Sequence, residues 1–362
     1  MTRSQSQANA ALAGPRAEAR PRRMGDGTSR AISADAPRIS SAKHPLLRLR
    51  PQQVPLLLVA FVVTVNAWML RATTDSVAYL DDASIHEQMV RFASRSVAMG
   101  AWPGSRWFPF LNLGSPQFLH YQGLAATTVG ALGSLGSPDT AFRWSLYLLL
   151  VLWPIAIYWS GRIMGLPTAA AAFAAALSPF LASTSAVGFE QGAYLWIGYG
   201  LWAQLCASWL LPFARAWTWR AMDDRRAVFK AVLFVTLTAA VHFETGYLAF
   251  LAVVLLPWMR GSELRQRLTR AGGVLLGSAC ATAVVTVPLL ANSSYAALNT
   301  YLSTTGLVRG YGAKQDLWWL ITGSLFDHRR LPVISLLVLV GAASVLWRWR
   351  SGLLRLWFPS DL

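Results

Sequence analysis

Two adjacent carboxylates, Asp81 and Asp82, with His86 four residues beyond, are the part of this chain whose types and spacing best suit chemistry. On a helix, residues four apart share a face, so Asp82 and His86 can address the same proton or the same cation. A carboxylate placed this way can act as general base toward a hydroxyl. The pair could instead hold a divalent cation, although two residues fall short of a full ligand set. The structural alternative is simpler. Asp is favoured at helix N-caps, and the pair would then only start a helix.

Other ionisable groups accompany them. His242 and Glu244 stand in Val241-His242-Phe243-Glu244-Thr245-Gly246, inside an otherwise apolar stretch. Such groups are costly at membrane depth and read as functional by default; the alternative is that the two pair with each other. Glu190, in Gly188-Phe189-Glu190-Gln191-Gly192, is either a substrate contact or a solvated loop acid. His120 and Tyr121 follow an aromatic-rich segment, Gly100 to Phe110, that reads as headgroup-level packing or as a carbohydrate or lipid groove. Arg309 and Lys314, in a Gly-rich stretch, can pair with a lipid phosphate or simply be solvated. The chain has no HExxH, no GxSxG and no nucleotide-binding glycine fingerprint. Cys206 and Cys280 both lie in apolar runs, so no disulfide framework is implied.

The elements that must position these residues are membrane helices. Of 362 residues 54% are hydrophobic and 13% charged, against about a quarter charged in soluble domains. Mean hydropathy is +0.40, and the seventeen Trp suit two water–lipid boundaries. A net charge of +16 would suit nucleic acid, but its distribution excludes that partner. Ten basic residues, ending with Arg48 and Arg50, precede the first apolar run against Glu18, Asp26 and Asp35, a net of +7. Most of the remainder falls in short loops between apolar runs, as the positive-inside rule requires.

Residues 1–50, rich in Ala, Ser, Arg and Pro, read as a disordered basic cytoplasmic tail, and 54–70 as a signal anchor. Further apolar runs lie near 142–160, 166–186, 192–213, 228–258, 270–291 and 331–347; a crossing needs roughly 20 residues. Basic clusters at 215–230, 260–270 and 348–355 mark the inside, so 228–258 must cross an even number of times. It is predicted to be two short helices meeting at 242–246. The short, Gly-rich stretch 123–137 becomes an outer interfacial or re-entrant piece. From Ile85, the apolar residues Ile85, Met89, Phe92, Ala93 and Val97 recur at helical spacing, which predicts an amphipathic helix on the membrane surface. The expected fold is all-α, a polytopic transmembrane bundle of about eight crossings over 51–347. Outer loops fall at 72–141 and 292–330, a cytoplasmic end at 348–362, and both termini inside. In this topology the acids and histidines collect on the outer side and a site made from them faces outward.

The succession of Asp81-Asp82 and His86 after the first membrane helix, Gly100-Ala101-Trp102-Pro103, Gly114-Ser115-Pro116, Tyr121, and later His242 with Thr245-Gly246-Tyr247 is similar to one bacterial family. It resembles membrane proteins catalogued as 6-pyruvoyl-tetrahydropterin-synthase-related, and more broadly GT-C-type glycosyltransferases, across roughly residues 52–345. The pterin label is only a name; no residue here points to pterin chemistry. The resemblance implies transfer of a sugar from a polyprenyl-phosphate carrier to a cell-envelope acceptor at the outer face of the plasma (inner) membrane. It implies Asp81 and Asp82 as base or metal-linked group, with a divalent cation as the cofactor it allows. His86, His242 and Glu244 become substrate or supporting contacts. GT-C enzymes usually have more membrane helices and often a soluble C-terminal domain. This chain stops soon after Trp357, which is expected of a fragment or a reduced member. The competing reading is a non-catalytic membrane protein, either a transporter or flippase of lipid-linked material or a scaffold. A transporter should carry mid-membrane charges and often inverted repeats; here the acids cluster on one side and no repeat is found.

Overall fold

A helix that is apolar all round has to be buried in protein or in lipid, and the first described helix is of this kind. α1 (Gln53–Met69, QVPLLLVAFVVTVNAWM) buries Val59 and leaves Leu56, Leu57, Phe61 and Trp68 exposed. The computed structural model describes residues 53–76, 82–110, 113–183, 201–259, 263–293, 311–328 and 330–357, and the expected tail at 1–50 lies outside them. Among the described residues the chain is mostly helical, with β-pairing limited to two isolated bridges, Phe108 with Ser115 and Ala182 with Asp327. The class is all-α.

The helices after α1 are α2 (Ala83–Ala98), α3 (Gln117–His120), α4 (Leu124–Gly133), α5 (Pro138–Val151), α6 (Trp153–Ile163) and α7 (Thr168–Leu177). Then come α8 (Trp202–Ala221), α9 (Val228–Val241), α10 (Phe243–Leu255), α11 (Leu264–Ala291), α12 (Ala313–Ile321) and α13 (Val333–Trp357). Among these, α11, with 28 residues, is long and apolar enough by itself to cross a bilayer. α5 and α6, bent by 51° at their junction, make a second if counted as one span. Pro154 sits in the first turn of α6, where its missing N–H and its ring oppose continuation of the preceding helix. The run 166–186 does not form one long helix. α7 ends at Leu177, Ser178–Phe180 is a 3₁₀ turn, and Ala182 pairs with the backbone of Phe326 and His328.

The run 228–258 forms two helices, α9 and α10, on either side of His242, which is extended (φ −154°, ψ 119°). The chain turns back so closely there that Gly246 lies against the Cα of Ala239, leaving no room for a side chain. At 1.5 Å per residue each arm is about 20 Å long. Small residues, Ala214, Ala221, Ala231, Ala249 and Ala271, line the contacts among α8, α9, α10 and α11 and let the backbones approach.

α2 departs from its expected setting. Its buried face includes His86, Glu87, Met89, Val90 and Ala93, while Ile85 and Val97 are only partly buried. The helix packs against α4, α5 and α8, so its covered face is set by protein neighbours rather than by a membrane surface. Gly130 of α4 makes the approach possible, lying directly on Val90, Ala93 and Ser94. The core formed beside it joins Met89, Phe92, Phe108, Phe142, Leu146, Trp202 and Val241. The two ends of α9 differ in chemistry. Arg225, Arg265 and Arg270 meet beside its first turn, and His242 closes its last.

Candidate functional site

His86 is carried inward by the buried face of α2 and is 2% exposed. Its ring stands 5.9 Å from that of Tyr121 and 5.9 Å from that of Trp202. Trp202 is held by a hydrogen bond from Nε1 to Ser145 Oγ at 3.1 Å and by Phe142, whose ring is 5.2 Å away. Among the described residues His86 Nε2 has no hydrogen-bond partner. Burial, and secondly the charge of His242, lower the His86 pKa from 6.5 to about 4, because a buried imidazolium lacks its hydration. At neutral pH His86 is therefore an uncharged imidazole with one ring nitrogen uncommitted.

His242 reaches the same place from the other end of the sequence. It is the N-cap of α10: Nδ1 accepts from the Thr245 backbone N–H at 3.3 Å and lies 3.0 Å from Thr245 Oγ1. An Nδ1 used as acceptor assigns the neutral-state proton to Nε2. The imidazole thus caps the helix through Thr245 rather than closing the turn by pairing with Glu244. Glu244 sits in the first turn of α10, where a negative charge is favoured by the helix dipole, and it is exposed.

Tyr121 links the histidines to the acids. Its phenol pKa is pushed up, first by burial and then by the charges of Asp82, Glu244 and Cys206, so it stays a neutral hydroxyl. Asp82 occupies the N-cap position of α2, yet its side chain makes no capping hydrogen bond. Capping alone does not account for it. The arrangement gathers Asp82, His86, Tyr121, His242 and Glu244 from three segments far apart in sequence. It offers carboxylates as proton acceptors and neutral rings and a phenol as hydrogen-bond partners, a set suited to hydroxyl-bearing ligands.

The remaining expected residues divide. Asp81, Glu190 and Arg309 lie outside the described residues, as does the side chain of His120, which closes α3. Lys314 is exposed in the first turn of α12, a helix that packs on α13 and not on the His86 cluster. Among the described residues no three His, Cys, Asp or Glu side chains are grouped to hold a metal ion. Three other acids have structural partners. Glu87 and Asp139 both bind Arg91, at 3.3 and 2.6 Å. Asp327 accepts from Ile334 N, Ser335 N and Ser335 Oγ at 2.8, 3.0 and 2.7 Å, starting α13.

Trp202 and Thr245 were not legible as site residues. Trp202 is one aromatic in an apolar run, and Thr245 acts through a backbone N–H that every residue but Pro possesses. Tyr121 carried a signal, since it neighbours His120 in an aromatic loop. The fold and cluster define an all-helical protein with a half-buried polar site at one end of a helical hairpin. No family model, no curated protein and no solved structure matches the chain.

Proposed function

We propose that the protein is a multi-pass protein of the plasma (inner) membrane, with about eight crossings and both termini inside, that transfers a sugar from a polyprenyl-phosphate carrier to a cell-envelope acceptor at the outer face. The observation that carries this reading is the cluster of Asp82, Tyr121, Glu244 and the buried His86 and His242 at the end of α9 opposite its basic end. An inward-facing basic end is what the positive-inside rule requires of such a chain; the acids at the opposite end of α9 are a separate observation.

In this mechanism an acceptor hydroxyl enters between the acids and the imidazoles. Asp82, seconded by Asp81, removes its proton as the oxygen attacks the anomeric carbon. His86, neutral and with Nε2 uncommitted, and Tyr121 orient the sugar hydroxyls by hydrogen bonds. His242 is held by Thr245, and Glu244 adds negative charge that favours an oxocarbenium-like sugar. The carrier phosphate leaves with the bonding electrons, and Arg309 of the last outer loop is proposed to neutralise it.

The test is transfer by the purified wild type, Asp82→Asn and the double variant Asp81→Asn/Asp82→Asn, with a panel of radiolabelled polyprenyl-phosphate sugars and envelope acceptors. A lost general base lowers the rate about 100-fold or more, and membrane insertion should be unchanged. Full activity in the double variant would reject the proposed base. Absence of transfer by a well-folded wild type would move the reading to a non-catalytic transporter, flippase or scaffold.

A further inference from the structure

A second polar site lies at the other end of α9. We propose that the groove there binds the phosphate of an anionic phospholipid of the inner leaflet. The groove has a volume of about 1010 Å³ and lies between Arg225 and Val228, before and at the start of α9, and Glu263, Arg265, Thr269 and Arg270 at the start of α11.

The cations in it are not equivalent. Arg270 is engaged: Nη1 donates to the Met222 carbonyl at 2.7 Å. With the Gln266 amide oriented to suit both neighbours, its oxygen accepts from Arg270 Nη2 at 2.9 Å and its nitrogen donates to Glu263 Oε2 at 2.9 Å. That bridge ties the groove's one carboxylate to an arginine and offsets its repulsion of an anion. Arg225 and Arg265 are exposed and have no acceptor among the described residues. Each presents a planar fork of N–H donors whose geometry matches two phosphate oxygens. The walls are braced, because buried Arg267 pairs with Asp223 at 3.3 Å and so ties the start of α11 to the end of α8.

A lipid, rather than a free anion, is the occupant the surroundings favour. Directly beyond the groove, α9 and α11 turn apolar side chains outward, with Phe229 73% and Leu276 68% exposed and Leu233 and Leu268 beside them. A headgroup held by Arg225 and Arg265 would lay its acyl chains along those faces. Basic pockets between membrane helices on the cytoplasmic side have this preference for anionic headgroups. The inference rests on the membrane reading above but not on sugar transfer.

The experiment uses the full chain in a neutral detergent, with thermal unfolding followed while phosphatidylglycerol, phosphatidylcholine or inorganic phosphate is added. A ligand that binds the folded state raises the midpoint in proportion to its affinity. Phosphatidylglycerol should raise it, the other two should not, and Arg225→Gln/Arg265→Gln should weaken the phosphatidylglycerol response about tenfold or more. Both side chains are exposed and without partners among the described residues, so the variant should unfold at the wild-type midpoint when no lipid is added. An undiminished response in the variant, or an equal response to phosphatidylcholine, would overturn the proposal. An equal response to inorganic phosphate would overturn the lipid assignment in favour of a free-anion site. Alkaline washing of membranes separates the two readings. A chain released by the wash loses both, whereas one retained but indifferent to headgroup loses the groove alone.

Discussion

His86 is the residue on which local chemistry turns. Its pKa is 6.5 in an unfolded chain and about 4 here, so the folded state refuses a proton that the unfolded state accepts. Stability from keeping it neutral is complete above pH 6.5 and is lost as the pH falls from there toward 4, by about 3 kcal/mol for a shift of this size. The thermal midpoint of the wild type should therefore drop across that window, and the drop should be smaller in His86→Gln, which keeps a polar side chain of similar reach but cannot titrate. Identical pH profiles for the two proteins would mean that His86 is solvated. Asp327 illustrates the opposite role. An acid on the same expected outer side, it spends both oxygens on the start of α13, and its type alone did not separate it from Asp82.

Among the elements, α2 and α4 decide where His86 points. Gly130 is the contact: a Cβ there would stand 2.6 Å from Ala93 Cβ and 2.9 Å from both the Val90 carbonyl oxygen and the Ser94 nitrogen. Backbone atoms of a packed helix cannot yield as a side-chain tip can. Ala is favoured over Gly in a helix interior by about 1 kcal/mol, but overpacking of this kind costs about 1–3 kcal/mol. Gly130→Ala should thus be net destabilising and should reduce transfer by displacing His86 from Tyr121 and Trp202. Thermal unfolding and the transfer assay check the two effects, and a more stable, fully active variant would show that the helices can separate without consequence. The hairpin of α9 and α10 depends in the same way on Gly246, and the cap made by His242 fixes where its second arm begins.

Over the whole molecule, chemistry is sorted to the two ends of α9, basic at its start and acidic with imidazoles at its close. The sorting predicts the orientation in the membrane. In a background with Cys206 and Cys280 replaced by Ser, a membrane-impermeant thiol reagent should label Ser105→Cys in intact cells. Arg226→Cys, at the basic end and likewise exposed, should react only after the membrane is permeabilised. Reversed labelling would invert the topology, and equal labelling of both would contradict a membrane between them.

The residue order by itself determined the helical class, the pairing of α9 with α10 about His242 and the Arg-rich segments before α9 and α11. Each of these is a local or compositional property: an apolar run longer than a turn, a polar break within it, and charge in the loops. Helix ends were less legible, because α7 stops at Ser178-Pro179 and α5 breaks before Pro154 while hydropathy continues unchanged across both. Tertiary packing alone decided how far the covered face of α2 extends. Met89, Phe92 and Ala93 of the expected stripe are buried, but so are His86, Glu87 and Val90, and the fit of Gly130 against Val90, Ala93 and Ser94 is what extends the covered face to that side. The same packing made Tyr121 and Trp202 neighbours of His86, since proximity between residues so far apart in the chain is fixed by which helices touch.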